Sequence, residues 1–161
     1  MVGPNKSTKS GAAVRRRLLL AGLGGILAAP LAWAAQRLAP RPVEAFRTET
    51  VEQTLRALFG DIEIPLSEKI RIAAADLAEN GAVVPIKINA DLAEVRAISI
   101  IATKNPVPLV AKFVFAKTTA GFIATRIKLA ESCEVIAVVE TANGIYQARK
   151  AIEVTIGGCG V

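Results

Sequence analysis

From residue 68 to residue 156 the chain repeats one pattern seven times: a short run rich in β-branched residues, then a turn signal. The runs are EKIRIAAAD, AVVPIKINA, VRAISIIAT, LVAKFVFA, GFIATRIKLA, CEVIAVVET and IYQARKAIEVTI. Between them stand AENG, ADLAE, KNPVP, TTAG, ES and TANG, rich in the Gly, Asn, Asp and Pro that turns require. Several runs alternate cleanly. Ile70 and Ile72 flank Arg71, Ile86 and Ile88 flank Lys87, and Ile152, Val154 and Ile156 alternate with Glu153 and Thr155. A period of two places one face of each strand in a core and leaves the other wet. Seven such strands predict an all-β fold, an antiparallel β-sandwich of the immunoglobulin kind. Its disulfide-stapled form is not implied, because the only tryptophan, Trp33, lies far outside the strands.

Ahead of the strands the period changes. PVEAFRTETVEQTLRALFG, from Pro42, reads as one amphipathic helix with Val43, Phe46, Val51, Leu55, Leu58 and Phe59 on one side and Gly60 as its stop. Further upstream the composition changes again. Arg15, Arg16 and Arg17 precede the apolar run LLLAGLGGILAAPLA, which leads into Ala32-Trp33-Ala34. That order is the order of a cleavable export signal, and paired arginines before a Gly-rich, moderately apolar run point to the twin-arginine route. Cleavage is expected after Ala34, and the product is expected in the periplasm. The organisation read from the sequence is therefore signal 1–34, linker and helix 35–60, sandwich 61–156 and arm 157–161.

Charge follows the same division. Residues 1–34 hold Lys6, Lys9 and the three arginines but no acid, so their removal takes the formal net charge from +6 to +1. The basic character belongs to the signal, and no basic stripe with interleaved aromatics remains to suggest nucleic-acid binding.

The inventory for catalysis is thin. The chain has no histidine, hence neither the commonest general base nor the usual zinc ligand. With two cysteines, no phosphate-cradling glycine loop and no paired carboxylates, neither a metal site nor a self-sufficient enzyme is expected. What stands out is VTIGGCGV. Cys159 follows a strand and lies among Gly157, Gly158 and Gly160, residues without side chains and with wide backbone latitude. Five residues extend about 17 Å at about 3.4 Å each, enough for a thiol to enter a cleft in another protein. No neighbouring cation activates that thiol, so activation falls to a partner, and a mobile group that is not self-activating suits a covalent carrier. A Cys133–Cys159 disulfide is the competing reading, but it would leave the glycines without purpose. Cys133, at a strand start, reads as a small buried hydrophobe.

The residues that end in VTIGGCGV, with LAENGAVVPIKI, ATKNPVPLVAKFVF and TRIKLAESCEVIAVVE, closely resemble the SoxY family, sulfur carriers of the periplasmic thiosulfate-oxidising Sox system. The resemblance covers essentially all of the chain after the signal. It implies that Cys159 bears the pathway intermediates and that the chain pairs with SoxZ, a second immunoglobulin-like protein. It also implies visits to the c-type haem enzyme SoxAX, the dimanganese hydrolase SoxB and the molybdenum-haem dehydrogenase SoxCD. Those cofactors would belong to the partners, and none to this chain. Family members usually end Gly-Gly-Cys-Gly-Gly, where this sequence has Val161, whose bulk is expected to spare loading but to alter access to one partner's channel. Two other readings stay open. One is a periplasmic binding or assembly module whose tail forms an intermolecular disulfide. The other, a thiol oxidoreductase, lacks a C-x-x-C pair.

Overall fold

A computed structural model describes residue 3 and residues 41–116 and 120–155. Eight strands follow one another: β1 (Ile70–Ala73), β2 (Leu77–Ala78), β3 (Val84–Ala90), β4 (Val95–Ala102), β5 (Leu109–Val114), β6 (Phe122–Ile127), β7 (Cys133–Thr141) and β8 (Ile145–Val154). They form two sheets, a small one in the order β1-β3-β6 and a large one in the order β2-β8-β7-β4-β5. The immunoglobulin-like sandwich expected from the period is therefore present, with one strand more than the seven runs. The addition, β2, is two residues long and lies parallel to β8, the one departure from antiparallel pairing among the named strands.

β3 shows why alternation predicts burial. Val84, Ile86, Ile88 and Ala90 are buried, while Pro85, Lys87 and Asn89 face out. Ile86 and Ile88 pack with Ile98, Ile100, Val135, Ala137 and Val139 of the large sheet. Each such side chain contributes about 1.5–3 kcal/mol relative to exposure.

The large sheet departs from simple alternation. β4 is buried at Val95 and from Ala97 through Ala102, and β7 at Cys133 and from Val135 through Val139. Both faces of these central strands are covered. A second cluster, with Ile101, Leu109, Ile136 and Val138 at its heart, lies under Phe46, Val51, Leu55, Leu58 and Phe59. Five of the six apolar positions expected on the helix thus pack on the sheet, whereas Val43 stays 46% exposed.

The single helix expected from Pro42 is two pieces, a 3₁₀ turn at Glu44–Arg47 and helix α1 at Val51–Phe59. The reason is Thr50. Its backbone is extended and its hydroxyl accepts from the Gln53 amide at 3.2 Å, starting a new helix in the middle of the predicted one. At the other end Gly60 takes φ +76°, and its amide caps Arg56 O at 2.8 Å. Lys112 fixes this end to the sheet. Its Nζ lies 2.6 Å from Glu140 Oε1 and 5.5 Å from the centre of the Phe59 ring. Among the described residues no helix is long and apolar enough to cross a membrane.

Candidate functional site

Cys159, Gly157, Gly158, Gly160 and Val161 lie outside the described residues, as do Arg15, Arg16 and Arg17. The structure describes the root from which residues 157–161 depart, and that root is held on two sides.

On one side β8 is paired along its length with β7, up to Cys133 opposite Ile152. Beyond that pair Ser132 takes over from the ladder, its Oγ accepting from the Val154 amide at 2.8 Å. On the other side β2 runs parallel, with Leu77 beside Glu153 and Ala78 beside Val154. The Glu153 amide donates to Asp76 O at 2.8 Å and the Thr155 amide to Ala78 O at 3.1 Å. Lys150 reaches Asp76 at 2.5 Å, and this bond and charge hold the Asp76 carboxyl below its ordinary range. Every backbone amide from Glu153 to Thr155 thus has a partner, which fixes the position of the chain just before Ile156.

Gly81 closes the same end of the sandwich. A Cβ there would lie 2.6 Å from Leu129 O and 2.8 Å from Val154 Cγ1, so only glycine lets these segments approach. The Leu129 amide donates to Gly81 O at 2.8 Å. Asn105 ties the next residues in, with Nδ2 donating to Lys128 O and Oδ1 accepting from the Ala130 amide, both at 2.8 Å. Sequence reasoning read Gly81, Asn105 and Ser132 only as parts of the turn signals AENG, KNPVP and ES, since each works here through backbone contacts that only the fold assembles.

Replacing Ser132 by Ala leaves the Val154 amide without its acceptor. We expect a local loss of about 1 kcal/mol, read as roughly fivefold faster hydrogen exchange at that amide with the global unfolding midpoint little changed. Unchanged exchange at Val154 would mean that β2 and β7 hold the root without Ser132.

Cys133 sits one residue from this clamp, as a free thiol within the core between the sheets. Burial pushes its pKa up, against a smaller opposing effect of hydrogen bonding from the Lys104 and Thr103 backbone and the Thr103 hydroxyl. A thiol kept protonated and enclosed is a poor nucleophile. In a Cys159→Ser background, Cys133 should react with DTNB at neutral pH at least about tenfold more slowly in the native protein than in denaturant. Equal rates would put an accessible second thiol beside the root.

Among the described residues no three His, Cys, Asp or Glu side chains come together as a group that could hold a metal ion.

Comparison with known proteins places these features in context. The family model for the sulfur oxidation protein SoxY matches residues 55–159. The solved structure of the sulfur carrier protein SoxY from Chlorobium limicola f thiosulfatophilum is similar at a TM-score of 0.60 and 30% identity, covering 66% of this chain and 97% of that one. A superoxide reductase (neelaredoxin) from Ignicoccus hospitalis is similar at a TM-score of 0.50 and 16% identity, covering 55% of this chain and 81% of that one. The second likeness concerns the fold alone. No curated protein sequence matches the chain.

Proposed function

The chain belongs to the SoxY family of sulfur oxidation proteins, and from that membership we propose that it carries sulfur intermediates of thiosulfate oxidation covalently on Cys159. The observation that carries the reading is the likeness to a sulfur carrier over 66% of this chain and 97% of that one, with a family match that runs through to Cys159. The clamped root supports it too. Cys159 lies four residues beyond Thr155, the last described residue and one held by its amide, so the intervening chain could span about 14 Å at about 3.4 Å per residue.

In this reading Gly157, Gly158 and Gly160 keep the arm slim enough for a partner's channel to admit backbone and thiol together. The carrier has no catalytic site of its own. It pairs with SoxZ and presents Cys159 to SoxAX, which couples thiosulfate oxidatively to the thiol, then to SoxB, which releases sulfate, and to SoxCD, which oxidises the remaining sulfur. Residues 1–34 export it to the periplasm by the twin-arginine route, with cleavage after Ala34, and residues 35–60, 61–156 and 157–161 form linker and helix, sandwich and arm.

The test is the intact mass of the exported protein, purified without reductant from cells grown with and without thiosulfate, followed by fragmentation. Reductant-labile added mass on Cys159 only in the thiosulfate culture is expected. A bare thiol under both conditions would overturn the carrier reading.

A further inference from the structure

Among the described residues the outward side chains of the small sheet are exposed, and those that are charged on its strands are all cationic, with Glu68 and Asp91 beside Arg71 at one end. Its outward positions include Arg71 on β1, Lys87 on β3 and Arg126 on β6, with Lys128 continuing the same row. Cross-strand pairing sets Arg71 beside Asn89, Lys87 beside Ala124 and Arg126 beside Pro85, so no acid interrupts the cations within the strands. None of the four forms an ion pair among the described residues. On the large sheet, by contrast, Lys112, Arg149 and Lys150 each hold a carboxylate within 2.5–3.2 Å. Apolar surface lies among the unpaired cations. Phe122 and Val83 are 50% and 51% exposed, and Pro85, Lys87, Ala124 and Arg126 border a shallow depression of about 550 Å³.

The position of this face is informative. β6 ends at Ile127, Lys128 follows, and Leu129 meets Gly81 and, across it, Val154 at the root of the arm. The row of cations therefore ends beside the segment that leads to Cys159.

We infer that this face docks the acidic rim of an enzyme channel that takes the arm, guiding the thiol into the channel by charge. The inference rests on the carrier reading. The size of the face sets the kind of contact. Three strands about 4.8 Å apart, of four, seven and six residues, span roughly 15 Å by 20 Å, well below the roughly 800 Å² per partner of a stable pair. A small, unpaired cationic face suits a brief, steered encounter, which a carrier that must leave each enzyme requires, and not permanent pairing with a second subunit.

The test compares the carrier, paired with SoxZ, as substrate for purified SoxAX from the same host. The variants are Lys87→Glu/Arg126→Glu and, as a control, Arg96→Glu on the large sheet. Loading of Cys159 by the double variant should be slower by about tenfold or more in kcat/KM at low ionic strength. The gap should close as salt screens the charges, with Tm unchanged and the control loading normally. Loading equal to the parent at every salt concentration overturns the inference. So does loss of SoxZ pairing in the double variant, which would assign the face to the subunit interface. A parent that SoxAX cannot load at all defeats the carrier reading itself, and the inference with it.

Discussion

Cys159→Ser is expected to abolish thiosulfate-dependent turnover in a reconstituted system while leaving Tm within about 1 °C of the parent. Both halves follow from position. A serine hydroxyl, far harder to deprotonate and to oxidise than a thiol, forms neither a disulfide nor a persulfide, so a carrier that works by S–S chemistry loses all of its function. The last buried residue of the described core is Ile152, and the described hydrogen bonds at this end reach Thr155, so substitution at Cys159 removes no contact described in the sandwich. Residual turnover above about 1% of the parent would show that another group carries the intermediate. Cys133 is the only other thiol, and its enclosure in the core makes the Cys159→Ser, Cys133→Ala pair the decisive follow-up.

The second large effect concerns the fold. Ile100 is fully buried on β4, the strand between β5 and β7, and packs in the cluster that joins the two sheets. Ile100→Ala deletes three carbons where neither sheet can collapse freely. A loss of about 2–5 kcal/mol is expected, with Tm lower by about 10 °C, measurable by chemical and thermal unfolding. A loss below 1 kcal/mol would mean that the sheets close over the cavity and that the core is less tightly packed than described. Loading per folded molecule should be unaffected, which separates this variant from changes at Cys159.

How far the sequence alone reaches can be judged strand by strand. The wet-faced strands are legible because one physical rule governs them: in β3, Lys87 between Ile86 and Ile88 fixes the side that meets the core. β4 and β7 are legible as strands but not as buried on both faces, since what covers their second face is α1, a distant segment. β2 is invisible because Leu77 and Ala78 carry no β-branched signal, and they become a strand only through their parallel partner. The break before α1 had a readable cue. Thr50 and Gln53 stand at the spacing of a capping box, inside what periodicity presents as one helix. At the site the balance is reversed. Cys159 and its glycines are plain in the sequence, whereas Ser132, Gly81 and Asn105, which set the root, declare themselves only when backbone segments meet.

The parallel docking of β2 on β8 joins residue 77 to residue 153, nearly the two extremes of the sandwich. Contacts so far apart in the chain close a long loop, at a cost in chain entropy that the rest of the sandwich must offset. The segment leading to Cys159 is thus anchored by a joint that exists only when residues distant in sequence are brought together. A chain caught partway through folding, its sheets still open, would hold its thiol on no fixed bearing. Pairing of β2 with β8 thus makes the placement of the segment that leads to Cys159 depend on both ends of the sandwich being folded.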